Sequence, residues 1–483
     1  MKQRRRRKNV ISWFIILAIT TGFGGIAKAG NQQGDQAAQQ PKTIKLTVDA
    51  AGEPIPALKY SLLPKYLDQT PGNAVTLYYQ ASELLPEYDR EEFIERFDQW
   101  MELPAEKLTI KELELFLSDY SNVLHQLELA TRRERCDWEL PIRTEGIDVM
   151  MPALSKFRHI SRVLILKAKL QTVQGQYEEA IKSLQTGYAM ARHLAETDTL
   201  VSNLVGIAVA AMMSKQLEQF IQAPQAPNLY WALTGLGEPF IDIRHSMSIE
   251  YDLWYLEFPE LGQLERMILT GQQIHEIYSQ IGRVLTGSGP SIAGGYKIAS
   301  LIAAFKQYPE AKRSLIEQGL TAEQVEAIPV AQVVLMSQVR DYNQLRDDLF
   351  KWFNVPYSQA LAHLAEAEQE LVEKVRRSRE TLIVNPFYQL LPALSRAYLL
   401  TARQDRQIAV LRCVEAIRMY AAEHDGELPG AWGDIRQVPI PIDPVRGKEF
   451  IYRLEGGKAI IEAPPGAAED PTEGLRYELT IRN

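Results

Sequence analysis

FRHISRVLILKAKLQTVQGQYEEAIKSLQTGYAMARHLAE, residues Phe157 to Glu196, is the stretch on which the fold turns. Apolar residues Ile160, Val163, Leu164 and Ala168 recur at helical spacing; after a break at Gly175, Tyr177, Ala180, Ile181, Leu184, Tyr188 and Ala191 repeat the pattern. Residues three and four apart share one face of an α-helix, so each half carries an apolar stripe that another helix must cover. Two such halves joined at a glycine predict an antiparallel helical hairpin. The same periodicity runs from near Asn73 to Glu380. The expected fold is therefore mainly α, an irregular array of antiparallel helices, with a small α+β module after it.

Further along, Thr199 to Met213 is nearly continuous in apolar or small residues. At about 15 residues it is short for a membrane span and reads as a central buried helix. Pro224 and Pro227 close that section, and Asn228 stands where a cap would open the next helix at Tyr230. Tyr251, Trp254, Tyr255 and Phe258 then cluster before Pro259, a density of aromatics expected of a core seam. Leu361, Leu364, Ala365, Leu371, Val372 and Val375 form a later stripe, and Glu370 with Lys374 and Glu373 with Arg377 stand at i,i+4 spacing on the opposite face.

The hairpin carries a resemblance. Gly175-Gln176-Tyr177-Glu178-Glu179-Ala180, with Ala168 before it and Leu184 after it, resembles one tetratricopeptide repeat, here spanning about residues 161–194. It departs from that pattern at Gln171, where an aromatic is usual, and at Gly187, where alanine is usual. No tandem copy follows, so the resemblance implies a single helical hairpin within a larger array.

The other end of the chain supplies an address. A basic block, Lys2 to Lys8, precedes an apolar run, Val10 to Ile26, and then Ala27-Lys28-Ala29. That order is the pattern of a secretory signal, expected to be cleaved between Ala29 and Gly30, with Ala27 and Ala29 fitting the peptidase. The run of roughly 17 apolar residues also leaves retention as a membrane anchor open. Without residues 1–29, 46 Lys and Arg face 61 acids, a net charge of about −15. So acidic a surface repels phosphate backbones, which argues against nucleic acid as a partner and leaves membrane contact to a retained leader. Gly30 to Lys42, rich in glutamine, has almost nothing to bury and is expected to be a flexible tether.

Beyond the tether, Ile44 to Val48 alternates as a short edge strand does, and residues 43–392 are expected to make the helical body. From Ala393 the character changes. A helix is expected up to Asp425-Gly426, followed by strands over Glu449 to Leu454 and Lys458 to Ala463, with Gly456-Gly457 as a two-residue hairpin turn and Arg476 to Ile481 as a third strand. Ala416 to Tyr420, Gly426-Glu427-Leu428-Pro429, Asp443-Pro444, Gly447 and Tyr452 resemble the carboxy-terminal part of type II secretion major pseudopilins. That resemblance implies an α+β fold for residues 393–483; calcium ligation, known in that family, does not map onto particular residues here. Leu58 to Pro64, Gly72-Asn73-Ala74 and Pro227 to Leu233 are similar to uncharacterised exported helical proteins of environmental bacteria. Such a likeness implies architecture and location, with no assigned activity.

Reactive motifs are missing. His125, His159, His193, His245, His275, His363 and His424 make no His-Glu-x-x-His pair, so no metal or other cofactor is expected. No Gly-x-Ser-x-Gly elbow occurs, and the glycine-rich Thr286 to Gly295 lacks the Lys-Ser/Thr ending of a phosphate loop. No catalytic residue is assigned. Cys136 and Cys413 are far apart in sequence, and in an oxidising compartment a disulfide between them or two isolated buried thiols are both open. The expectation that follows is an exported protein of the periplasm or cell envelope, a non-enzymatic scaffold or binding module for envelope proteins. A secreted hydrolase with dispersed acidic residues and an accessory component of a secretion apparatus are the alternatives.

Overall fold

Arg418 is buried completely, and it holds together segments far apart in sequence. The computed structural model describes residues 43–482 apart from 147–148, 150, 152, 287–305, 381–384 and 466–473. The expected leader, its expected cleavage site at Ala27, Ala29 and Gly30, the expected tether and the glycine-rich stretch from Gly287 to Gly295 lie outside those residues. The chain is mainly α, with a small α+β region at its C-terminal end.

The longer helices are α1 (Val75–Glu83), α2 (Arg90–Glu102), α3 (Ile110–Asp119), α4 (Ser121–Thr131), α5 (Leu154–Val173), α6 (Tyr177–Ala195), α7 (Leu200–Ile221), α8 (Arg244–Glu257), α9 (Gly271–Thr286), α10 (306–317), α11 (Val330–Phe350), α12 (Tyr357–Glu380) and α13 (Leu391–Glu423). The expected hairpin is α5 and α6, turning at Gly175 with a φ of +71°. Gln171 meets the Ser183 hydroxyl across the turn at 2.7 Å, a polar tie where the repeat pattern has an aromatic. Helix α7 is the apolar segment extended to 22 residues, long and apolar enough to cross a membrane, yet 78% of its most apolar window is buried in the protein.

Glycine decides how close α6 and α7 come. A Cβ at Gly206 of α7 would lie 2.5 Å from the Ala191 carbonyl oxygen and 2.9 Å from the Ala195 Cβ. Backbone cannot yield there as a side-chain tip could. Gly206→Ala is therefore expected to lower stability by about 2–3 kcal/mol, read as a fall in urea midpoint with unchanged slope. A loss under 0.5 kcal/mol would show that the helices part freely. Gly187, the second departure from the repeat pattern, leaves the space that Met213 of α7 fills.

A buried lysine closes α2. Lys169 donates to the carbonyls of Trp100, Met101 and Leu103 at 2.7, 2.9 and 2.8 Å, satisfying the last turn of that helix from the side. Its burial lowers its pKa to about 8.

The strands are β1 (Thr43–Val48), β2 (Thr70–Asn73), β3 (Arg133–Arg135), β4 (Ile442–Asp443), β5 (Lys448–Glu449), β6 (Ile451–Glu455), β7 (Lys458–Ala463) and β8 (Leu475–Ile481). The hairpin β6–β7 turns on Gly456 and Gly457, both at positive φ as expected. The main sheet has the order β1-β8-β7-β6, with β1 parallel to β8 from Thr43↔Arg476 to Val48↔Ile481. This places one strand of the expected helical body elsewhere. The edge strand assigned to the helical body is the fourth strand of the C-terminal sheet, and the boundary falls at the start of α13, inside continuous structure. Alternation shows that Leu46 and Val48 face a core while Lys45 and Thr47 face water; it cannot say which strand lies alongside.

Arg418 of α13 fastens the junction. Its guanidinium donates to both Glu415 oxygens at 3.0 and 2.9 Å, to the Asp49 carbonyl at 2.9 Å and to the Ala226 carbonyl at 2.6 Å. The Asn228 amide adds bonds to Ala51 and Glu415 carbonyls at 3.0 and 2.9 Å.

Candidate functional site

Cys136 and Cys413 are not paired. Each is a free, buried thiol, Cys136 beside Tyr78 and Tyr79 and Cys413 within α13, and burial pushes both thiols well above their ordinary pKa. The disulfide alternative gives way because both thiols are free. As neutral small groups they are packing residues and not reactive thiolates.

Four of the histidines pack against aromatic side chains. His159 shares a hydrogen bond with the Tyr120 hydroxyl at 3.1 Å and stacks on Tyr88 at 3.8 Å, and His193 meets the Tyr78 hydroxyl at 2.9 Å. Burial lowers both to about 4, so they stay neutral at physiological pH. His363 and His424 stack on Trp352 and Tyr420. Among the described residues, no group of three His, Cys, Asp or Glu is placed to hold a metal ion. Asp443, within the pseudopilin-like turn, gives its carboxylate to Arg406 at 2.9 and 3.2 Å and to the Val445 N–H at 2.9 Å. Trp254 is 1% exposed and packs on Phe258 and Phe387, so the aromatic cluster is the expected core seam.

Chemistry concentrates elsewhere, in a cleft of about 400 Å³ that no motif announces. One wall is the segment from Glu238 to Arg244 leading into α8; a second is Phe353 to Tyr357 between α11 and α12; the floor is α13; Pro444 closes one end. Tyr398, Thr401, Ala402 and Asp405 line it from α13, a spacing that puts all four on one helix face. The Tyr398 hydroxyl bonds the Val355 carbonyl and ties the second wall to the floor. On the other side of Tyr357, Leu361, Leu364, Leu371, Val372 and Leu399 line a second hollow of about 350 Å³ between α12 and α13. Here the expected stripe on α12 faces α13 only in part, since Val372 is 65% exposed. The side chains of Val375 and Arg377 lie outside the described ones, while Lys374 reaches Glu370 at 3.3 Å as expected.

Three carboxylates line the cleft, Glu238, Asp242 and Asp405. Asp405 is 8% exposed; its Oδ1 accepts from the Phe240 N–H at 2.9 Å. Burial, reinforced by the negative charge of Glu238 and opposed by that hydrogen bond, raises it to about 7. Asp242 moves the other way, held ionised by Arg244, whose side chain reaches it at 2.5 to 2.9 Å.

The Asp405 shift sets a pH dependence of stability. Because the folded chain binds this proton more tightly than the unfolded chain, its contribution is full below about pH 4 and fades as pH rises through about 7. Asp405→Asn keeps the acceptor for Phe240 and removes the titration. We expect it to raise stability at pH 8 by on the order of 2 kcal/mol and to leave it nearly unchanged at pH 4. Parallel melting curves at pH 4 and 8 check this; an asparagine variant equally destabilised at both would exclude it.

Sequence reading missed this site because its acids come from segments about 160 residues apart and carry no local spacing. Asp405 stands in the polar run Arg403-Gln404-Asp405-Arg406-Gln407, so nothing local marks it out. No protein-family model, curated protein or solved structure matches the chain.

Proposed function

We propose that the chain is an exported cell-envelope protein acting as a non-enzymatic scaffold, which binds a partner protein along the two hollows that flank Tyr357. The observation that carries this reading is their adjacency: a mainly apolar trough between α12 and α13, with Glu368, Ser395 and Arg396 also in its lining, shares a wall with an acid-lined cleft. A trough of this kind suits the apolar face of a helix or an extended segment, and the neighbouring cleft suits a polar anchor. The leader pattern supports delivery to the envelope, and a sheet that pairs residues 43–48 with 476–481 supports a preformed surface.

Site-specific photocrosslinking in the producing cells tests it. A photoreactive residue at Leu361 should yield one discrete adduct with an envelope protein, absent when the probe replaces Leu115, which is 71% exposed on α3. Identical adduct patterns at both sites would dispose of the reading.

A secreted hydrolase is the second reading, and one observation favours it. Asp405 holds its proton near neutral pH while Asp242 in the same cleft is kept charged, the division of labour that acid/base catalysis uses. Chromogenic glycoside or ester turnover, lost in both Asp405→Asn and Asp242→Asn, would put this reading first.

A further inference from the structure

We infer that the cleft between the Glu238–Arg244 segment and α13 receives a cationic group on an apolar stem, an alkylammonium or guanidinium, with Asp405 as its counter-charge. This deepens the binding-site reading above and rests on it.

Asp405 projects from α13 with 92% of its surface covered, and one carboxylate oxygen is held by the Phe240 N–H. Among the described residues no cation answers it. Arg244, the one basic residue lining the cleft, is committed to Asp242 through both its Nε and Nη2 atoms. The charged and titratable groups around the cavity are Glu238, Asp242 and Arg244 from the first wall, Tyr357 from the second and Tyr398 on the same helix as Asp405. Three acids thus oppose one base. An anion entering here meets net repulsion, and an uncharged apolar guest strips the remaining water from Asp405 without compensating it.

A cation avoids both costs. Its charge-assisted hydrogen bonds to the carboxylate replace water in a partly enclosed site, where such bonds are at their strongest. Ile241, Ile243, Phe353, Val355 and Ala402 supply apolar wall for a methylene stem. The volume of about 400 Å³ falls within the range of small-molecule and side-chain pockets and accommodates a lysine- or arginine-sized group. Because the guest favours ionised Asp405, binding near pH 6 should release a proton, and affinity should rise between pH 6 and pH 8.

The same chemistry arrives on a partner protein's Lys or Arg side chain or on a free amine, and two probes separate the sources. Full-length protein is titrated calorimetrically with butylguanidine, with its uncharged analogue pentanamide, with the anion pentanoate, and with the peptide acetyl-Leu-Ala-Leu-Ala-Arg-amide. Butylguanidine should bind at least tenfold more tightly than pentanamide, and pentanoate should give no heat. Asp405→Asn, expected to fold, should abolish that preference; Glu366→Gln, on the exposed face of α12, should leave it intact. A peptide that outbinds butylguanidine by tenfold assigns the site to a protein partner, and parity assigns it to a free amine; either supports the cation. Equal binding of butylguanidine and pentanamide, full binding to Asp405→Asn, or equal losses in both variants would overturn the inference. Failure here with a discrete Leu361 crosslink leaves the scaffold reading standing; a preserved cation preference without that crosslink removes the scaffold reading and keeps the ligand class.

Discussion

Arg418→Leu should cost on the order of 5 kcal/mol and leave little folded protein, because this side chain is bonded to three separate segments from a site with no access to water. The substitution strands Glu415, itself 0% exposed at its side chain, as a buried carboxylate without its cation. Breaking a buried pair on one side costs about 3–5 kcal/mol. Two carbonyls, of Asp49 and Ala226, lose their donors as well, and each unsatisfied buried acceptor adds about 1 kcal/mol or more. Set against a typical domain stability of about 5–15 kcal/mol, this is most of what holds the fold. Urea denaturation followed by circular dichroism reads it directly. The double variant with Glu415→Leu should recover part of the loss, since the orphaned charge goes while the bare carbonyls remain. A single variant within 1 kcal/mol of the parent would mean that β1 and the loop at Ala226 are held by packing alone.

Asp443→Ala should be nearly as damaging. Its carboxylate pairs with Arg406, which is 3% exposed, and caps the turn at Val445; removing it takes both interactions out of the core. The expected loss is about 3–5 kcal/mol. Asp443→Asn, which keeps an oxygen for the Val445 N–H, should lose less. The consequence reaches the cleft, because Pro444 forms its end wall and the following turn returns at Gly447, at a φ of +65° against Ser358 of α12. Cation binding by any folded fraction of Asp443→Ala should therefore weaken, and an unchanged melting curve would show that Arg406 is neutralised elsewhere.

Much of the secondary structure was legible. Stripes of apolar residues at helical spacing locate α5, α6 and α12, a continuous apolar run locates α7, and two adjacent glycines locate the β6–β7 turn, because these signals are local. Gly187 and Gln171 read as departures from a repeat pattern; in the folded chain each makes a specific contact, one with Met213 and the other with Ser183. The cleft was not legible. Asp405 looks like any polar residue on a helix until Phe240 and Glu238 are brought beside it, and its raised pKa is a product of that enclosure.

Taken alone, the amino-acid order determined a leader pattern, a net acidic chain, a helical class and a small sheet near the C terminus, since each depends on composition or on neighbours within a few turns. Tertiary structure decided that β1 joins that sheet, that Cys136 and Cys413 stay apart, and that an acidic hollow opens beside Tyr357. The physical reason is range. Periodicity reports which face of an element avoids water, whereas pairing, burial of charge and the shape of a cavity depend on residues hundreds of positions away that meet only when the chain has packed.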